Sequence, residues 1–323
     1  MGYMFEKLTE IIKSYDKIII MTHKKPDLDG MGSSIALSKI IESLKKECYV
    51  VYPDSSINKS LEKGLDLLKE KSIEINFKKT KEIKKIITEK TLLVVLDTQK
   101  PVLVENNELL DLINDVLVID HHMNSSNHID NTVFEYINSN KSSIVEIITE
   151  YFKYLNKTIN PHIATVMLSG LEIDTNSYNV KTSEATFKAS AFLLKNGANL
   201  IDKQNILKER KEDFIRRQQY VQKSEIINDT VAICIMDDKI HDNVDLAMIS
   251  DELLRFEKIE VSFTIGKISA DTIGVSARSM GNINVGTIMT EIGGGGHVTD
   301  AAAQLKEKTM EEIKKQIIKL LEG

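Results

Sequence analysis

The chain has 323 residues, of which 42% are hydrophobic, and it carries a net charge of −6. This length and hydrophobic content predict two domains, each with its own core, whereas the negative charge argues against a broad surface for long duplex nucleic acid. No apolar run approaches the roughly 18 residues that span a membrane, and no secretory core opens the sequence. We therefore expect a cytoplasmic protein without membrane contact.

The first half alternates short apolar runs with segments of helical period. Residues 17–22, 92–96 and 116–119 are apolar runs, and residues 33–44 have helical period. This alternation predicts an α/β fold with a largely parallel sheet covered by helices. Cys48 and Cys234 form no CxxC pair, so we expect buried thiols rather than a disulfide or a zinc site.

Each of the three apolar runs is followed by side chains that can bind metal. The candidate ligands are His23, Asp27 and Asp29 after the first run, Asp97 after the second, Asp120, His121 and His122 after the third, and Asp174 after a later helical segment. Ligands of open α/β sheets bind at the carboxyl ends of the strands, so these groups are expected to converge in one crevice. Taken singly, each has an ordinary alternative: Asp29 could cap the following helix, and Asp174 could belong to a helix C-terminal turn.

The charge of such a cluster favours a metal site. Four aspartates in one crevice repel one another and have raised pKa values unless cations neutralise them. Six ligating side chains with one shared carboxylate suit two divalent ions about 3.5–4 Å apart, the arrangement that promotes in-line phosphoryl displacement. The oxygen and imidazole ligands suit manganese, magnesium or iron.

The second half predicts further helices and a second, smaller α/β domain. Residues 141–154, 161–171 and 183–226 have helical character, and the last of these segments becomes highly charged toward its end. Strands are predicted at residues 231–236, 259–265 and 272–277, and a short Ala-rich helix is predicted after residues 293–297. The predicted domains are therefore residues 1–190 and 227–323, joined by a helical linker at residues 191–226.

Two groups of residues in the second domain are candidates for phosphate binding. One is the glycine run with its neighbouring imidazole, which can bring backbone amides close to an anion; its residues are Gly293, Gly294, Gly295, Gly296 and His297. The other is Ser276 and Arg278 at a strand end, where the planar guanidinium could pair with phosphate. A flexible turn and a surface arginine are the alternatives. We expect these groups to clamp a substrate between the domains.

These motifs together resemble the DHH phosphoesterase superfamily over nearly the whole chain. The name-giving motif is similar to Asp120-His121-His122, and residues 293–297 resemble the GGGH of the DHH-associated C-terminal domain. The resemblance implies two manganese ions, with Asp97 as the bridging ligand. It implies His23, Asp27 and Asp97 for one ion, and Asp29, Asp97, His121 and Asp174 for the other.

The resemblance also implies roles for residues that do not bind metal. Asp120 would orient a histidine, His122 would face the scissile phosphate, and Arg278 and His297 would hold substrate phosphate. Within the superfamily, the chain is most similar to the catalytic part of GdpP-type cyclic di-AMP phosphodiesterases. Gln99 and Lys100 depart from that type, which has His and Arg there, and we expect this to alter only local packing or phosphate contacts.

The leading interpretation is hydrolysis of cyclic di-AMP to pApA, with AMP as a further product, by water activated at two metals. A nanoRNase that also removes the 3′-phosphate of adenosine 3′,5′-bisphosphate, as NrnA-type relatives do, would share every metal ligand. A non-catalytic cyclic-dinucleotide receptor is disfavoured by the complete ligand set, and a pyrophosphatase is disfavoured by the second-domain motifs. The expected substrates are cyclic dinucleotides or short linear oligonucleotides, and family analogy predicts a homodimer.

Overall fold

The structure is a computed structural model that describes residues 2–124 and 127–322. The chain forms two compact units, Met1–Lys208 and Glu209–Gly323, so the division falls inside the segment predicted as a linker. Each unit has its own sheet. Within the described ranges, no helix has both the length and the apolar character needed to cross a bilayer.

The first unit alternates strands and helices as the sequence predicts. Its elements are α1 (Gly2–Ser14), β1 (Lys17–Met21), α2 (Leu28–Ser43), β2 (Glu47–Val51), α3 (Lys59–Glu70), β3 (Phe77–Lys78), α4 (Thr80–Ile83), β4 (Thr91–Leu96), a 3₁₀ turn (Pro101–Leu103), α5 (Asn107–Leu112), β5 (Asp115–Asp120), β6 (Phe134–Ile137), α6 (Ile144–Tyr154), α7 (Pro161–Asp174), α8 (Glu184–Lys195) and α9 (Leu200–Leu207).

The sheet of the first unit is parallel throughout, with strand order β3-β2-β1-β4-β5-β6. The order reverses between β1 and β4, and crevices for ligands form at such a switch point, outside the carboxyl ends of the strands. Both faces of the sheet are covered: Ile18 and Val94 pack into one core cluster, and Ile19 and Val95 into another. This double burial explains why the strands are continuous apolar runs.

The second unit contains a mixed sheet. Its elements are α10 (Lys211–Gln222), β7 (Glu225–Ile227), β8 (Val231–Ile235), α11 (Asn243–Leu253), β9 (Val261–Lys267), β10 (Thr272–Ser279), α12 (Val285–Glu291), β11 (Gly295–Gly296), β12 (Asp300–Lys306) and α13 (Met310–Glu322). The strand order is β11-β12-β10-β9-β8-β7, and of its pairs only β8 with β9 is parallel. The predicted α/β class is confirmed for both units.

One predicted element is wrong. The Ala-rich segment after the glycine run forms strand β12 rather than a helix, and it pairs antiparallel with β10. Its side chains alternate in burial, with Ala301, Ala303 and Leu305 buried, which is the period of a strand. The glycines of β11 allow close contact, because a Cβ on Gly296 would lie 2.3 Å from the Cα of Ala301.

Candidate metal centre and phosphate-binding residues

The loop after β1 contributes His23 and Asp27 to a first group of candidate ligands. His23 Nε2 lies 3.4 Å from Asp97 Oδ2 and 3.9 Å from Asp27 Oδ2. Asp27 also caps α2, since its side chain accepts a hydrogen bond of 3.0 Å from the amide of Gly30. The alternative in which Asp29 is the cap is therefore wrong, and Asp29 lies inside the first turn of the helix.

Asp97 occupies a strained position directly after β4. Its side chain is only 3% exposed, and its backbone is left-handed, with φ of 66°. Non-glycine residues rarely adopt this conformation, and such strain is concentrated at functional sites. Gly30 faces the carboxylate, and a Cβ at Gly30 would lie 3.0 Å from Asp97 Oδ2. The surrounding residues therefore leave the Asp97 carboxylate little space to move.

A second group of candidate ligands surrounds His121, which follows β5. Its Nε2 atom lies 3.2 Å from Asp97 Oδ1, 3.3 Å from Asp174 Oδ2 and 4.0 Å from Asp29 Oδ2. Asp174 is the last residue of α7, a helix that packs against α2. The structure thus brings all six predicted ligands together at the carboxyl ends of β1, β4 and β5.

Gly170 permits the close approach of α7 to α2. A Cβ at this position would lie 2.7 Å from the backbone nitrogen of Asp29 and 2.7 Å from the backbone carbon of Leu28. A side chain there would push apart the helices that carry Asp29 and Asp174. Gly170 was not predicted from the sequence, although a glycine inside a helical pattern is a recognised sign of close packing.

Burial and mutual repulsion set the protonation of two of the aspartates. Asp29 is fully enclosed, and burial together with the charge of Asp97 raises its pKa to about 7, although His121 acts in the opposite direction. The pKa of Asp174 is also raised well above its ordinary value by burial and by the charges of Asp29, Asp27 and Asp97. Both groups therefore resist ionisation, since burial and neighbouring negative charge disfavour the carboxylate form.

The pKa values of His23 and His121 are raised by the same carboxylates. Burial alone would lower the pKa of His23, but its contacts with Asp97 and Asp27 raise that pKa to about 10. Burial is likewise outweighed at His121, whose pKa is raised to about 9 by Asp97, Asp29 and Asp120. Burial would raise the pKa of Asp97, but His121 and His23 hold it far below its usual range. Protons on the histidines thus supply the positive charge that the carboxylates require.

The arrangement fits divalent cations. Two ligands bound to one ion at about 2.1 Å and at right angles lie about 3 Å apart, and the candidate atoms of each group lie within 4.8 Å of one another. One such group contains His23, Asp27 and Asp97, and a second contains Asp97, His121 and His122, so these two groups share Asp97. A third group contains Asp29, His121 and Asp174. Asp97 Oδ1 lies 3.2 Å from His121 Nε2 and 3.7 Å from His122 Nδ1, so two imidazoles converge on this carboxylate oxygen.

Asp120 holds His122 beside this cluster. Its Oδ1 atom lies 2.7 Å from His122 Nδ1, which places the proton of that imidazole on Nδ1, and it also accepts a hydrogen bond from the amide of His122. Its Oδ2 atom accepts a hydrogen bond from Gln99 Nε2. Asp120 is buried, whereas the side chain of His122 is 47% exposed. Gln99, one of the two residues that depart from the expected His and Arg, therefore hydrogen-bonds the carboxylate that orients His122.

The second unit contains the candidate phosphate-binding residues. Arg278 donates through Nε to Asp251 Oδ1 at 2.9 Å, and its other guanidinium contacts include Ser276 Oγ at 3.3 Å. The glycine run does not open a helix: it follows α12, and Gly295 and Gly296 pair with β12. The amide of His297 donates to the carbonyl of Asp300 at 2.6 Å. Sequence analysis did not identify Asp251 as the partner of Arg278.

Two family descriptions match separate parts of the chain. Residues 17–171 match the DHH family, N-terminal domain, and residues 228–323 match the DHHA1 domain. The chain is also similar in fold to an exopolyphosphatase-related protein from Bacteroides fragilis, with a TM-score of 0.82 and 20% identity, covering 100% of this chain and 96% of that one.

Curated relatives show similarity along nearly all of the chain. The chain is 37% identical over 322 residues to the cyclic-di-AMP phosphodiesterase PdeA of Listeria monocytogenes, covering 98% of this chain and 49% of that protein. It is 34% identical over 314 residues to the cyclic-di-AMP phosphodiesterase GdpP of Geobacillus thermodenitrificans, covering 96% of this chain and 48% of that protein. The chain thus spans about half the length of these relatives. It is 28% identical over 310 residues to the bifunctional oligoribonuclease and PAP phosphatase NrnA of Mycoplasma genitalium, covering 92% and 91% of the two chains.

Proposed function

The chain belongs to the DHH family, and on that premise we propose that it is a metal-dependent phosphodiesterase that hydrolyses cyclic di-AMP to pApA. The observation that carries the proposal is the convergence of three aspartates and two histidines around the strained carboxylate of Asp97. The choice of substrate is supported by relatives of 34% and 37% identity that are named for this activity.

Two manganese ions are proposed as the cofactors, with magnesium as another divalent ion of suitable chemistry. His23, Asp27 and Asp97 would hold one ion, and Asp97, Asp29, His121 and Asp174 would hold the other. When bound, such ions neutralise charge on a phosphoryl group and supply a water nucleophile at neutral pH. Since the candidate histidines hold protons when no cation is present, binding of the ions would release those protons.

The remaining residues act on the substrate in this proposal. Asp120 fixes the ring of His122 through Nδ1, so the partly exposed imidazole faces the scissile phosphate in one orientation. Arg278, oriented by Asp251, binds a second phosphate with its guanidinium. Ser276, Gly294, Gly295, Gly296 and His297 are the further candidates for phosphate contact.

An oligoribonuclease with phosphatase activity on adenosine 3′,5′-bisphosphate is the second candidate function. It is supported by the similarity to the NrnA relative, which extends over 310 residues at 28% identity. The higher identity to the cyclic di-AMP phosphodiesterases favours the first candidate. Both candidates use the same proposed metal ligands, so the choice depends on the substrate.

The deciding experiment is manganese-dependent turnover of cyclic di-AMP, pApA, a short RNA and adenosine 3′,5′-bisphosphate, compared as kcat/KM. We expect the highest value for cyclic di-AMP, with pApA as the first product. Preference for pApA or RNA with negligible cyclic cleavage would establish the second candidate. Light scattering on the same preparation tests the homodimer expected from the family analogy.

A further inference from the structure

The carboxylate of Asp29 is held by the start of helix α6, far away in sequence. Asp29 Oδ2 accepts a hydrogen bond from the amide of Ile144, and Oδ1 accepts one from the amide of Val145, both at 2.8 Å. These amides are the first two of the helix, where backbone donors have no partner inside the helix and the dipole favours an anion. The position of Asp29 therefore depends on where α6 begins.

A second carboxylate, that of Glu146, lies in the first turn of α6 and contacts the residues around the same helix end. Glu146 is fully buried, and its Oε2 atom accepts hydrogen bonds from Ser142 Oγ at 2.7 Å and from Thr186 Oγ1 at 2.9 Å. Its Oε1 atom lies 3.0 Å from Lys141 Nζ. Ser142 and Lys141 lie in the loop before α6, and Thr186 lies in α8. Glu146 thus joins the loop, the helix end and a neighbouring helix.

Burial of a carboxylate costs several kcal/mol unless it is paired and hydrogen-bonded. Hydrogen bonds reach one oxygen of Glu146 and the ammonium of Lys141 lies beside the other, so although burial would raise its pKa, Ser142, Lys141 and Thr186 lower it overall. An uncharged residue of similar volume would fill this space without the desolvation cost. Glu146 directly follows the residues whose amides hold Asp29, so its partners fix the same end of α6.

We propose that Glu146 is a positioning residue for Asp29, which it holds in place by fixing the amides of Ile144 and Val145. This inference rests on the proposed metal centre and concerns one half of it. Asp29 belongs to the group with His121 and Asp174, whereas the group of His23, Asp27 and Asp97 makes no use of α6. Loss of Glu146 should therefore weaken one metal site and spare the other.

The test is a manganese titration of the full chain, followed by the electron paramagnetic resonance signal of free Mn²⁺. Glu146→Gln removes the charge but keeps the shape. Glu150→Gln is the matched control, because Glu150 binds the same Lys141 at 2.7 Å one turn further along α6. Among the described residues, Ser142 and Thr186 donate to Glu146 and not to Glu150. Asp27→Asn identifies the binding step that belongs to the other group.

Glu146→Gln is expected to weaken one of two Mn²⁺ dissociation constants by about 10–100-fold, the usual effect of removing a group that orients a ligand. The step affected should be the one that Asp27→Asn leaves in place, and Glu150→Gln should change neither. Ser142→Ala removes one donor to Glu146 and should weaken the same step by less. It keeps the inference testable if the Glu146 variant does not fold.

The unfolding temperature without metal separates positioning from simple stability. If Glu146→Gln lowers that temperature but leaves both dissociation constants unchanged, or weakens both equally, the inference is overturned. If the wild-type chain itself binds fewer than two Mn²⁺ ions, the proposed metal centre fails, whatever the variants do.

Discussion

The two units arrange their charged side chains in opposite ways. In the first unit, like charges are crowded together: four aspartates, two of them from the start of α2, lie around two histidines, and two of the acids have raised pKa values. In the second unit, a single cation, Arg278, is paired with a single acid, Asp251. A crowded cluster of acids is stable only when cations neutralise it, whereas the charge of Arg278 is balanced by the one acid beside it. Metal dependence and the largest mutational effects should therefore belong to the first unit.

Asp97→Asn should have the largest effect. The substitution keeps a side chain that tolerates the left-handed backbone but removes the carboxylate shared by both groups of ligands. Because groups that act as a unit lose most of their activity together, kcat/KM for cyclic di-AMP should fall by about 10³-fold or more. The measurement is steady-state hydrolysis together with the number of bound Mn²⁺ ions.

Asp66→Asn, on the exposed face of α3, is the control for this variant and should retain both activity and metal content. Retention of two ions and of turnover in Asp97→Asn would remove Asp97 from the proposed centre. Retention of ligand binding without turnover in either form would instead favour the receptor interpretation.

Arg278→Ala should have a smaller effect of a different kind. A charge-assisted hydrogen bond contributes about 1.5–3 kcal/mol, so the variant should lose about 10–100-fold in kcat/KM, mainly through KM, while it binds Mn²⁺ as the wild type does. Arg216→Ala is a matched control, since Arg216 is also an ion-paired arginine of the second unit. A lower metal content in Arg278→Ala would contradict the division of roles between the units.

Each unit contains one buried cysteine, which allows the effect of metal on each unit to be measured separately. Cys48 is in β2 and Cys234 is in β8, and burial raises the pKa of both thiols. A thiol reagent should reach them only when the unit opens. Since Mn²⁺ binds the folded first unit, Mn²⁺ at ten times the dissociation constant of the weaker site should slow labelling of Cys48 by roughly tenfold for each of the two ions.

Cys234 should be labelled at the same rate with and without Mn²⁺. Single-cysteine variants, Cys48→Ala and Cys234→Ala, assign the two rates. Equal protection of both thiols would mean that metal stabilises the whole chain as one cooperative unit, and no protection of Cys48 would speak against the proposed centre.

The sequence predicted which candidate ligands lie close together better than it predicted what holds them. Strand ends are visible as apolar runs, and parallel strands bring the residues after those ends to one edge, so His23, Asp97 and His121 could be found by position. The contact of Asp29 with the start of α6 joins residues 115 and 116 positions apart, and local periodicity carries no sign of it. The strand β12 was missed because three consecutive alanines hide the alternation between buried and exposed positions.

The smallest predicted effect comes from substitutions that remove a helix cap and so destabilise one unit at a time. Asn284 caps α12 in the second unit, where its side chain accepts a hydrogen bond from the amide of Thr287 at 3.1 Å. Asn58 caps α3 in the first unit in the same way, with the amide of Leu61 at 2.8 Å. Both are exposed, and loss of such a cap costs about 1 kcal/mol, or about a fivefold change in an opening equilibrium.

Asn284→Ala should therefore speed the labelling of Cys234 about fivefold and leave Cys48 unchanged, and Asn58→Ala should do the reverse. The two variants serve as controls for each other, because they remove the same chemical group from the same kind of position. If either substitution accelerates both thiols to the same extent, the units open together, and the selective protection of Cys48 by Mn²⁺ could not arise from the metal centre of the first unit alone.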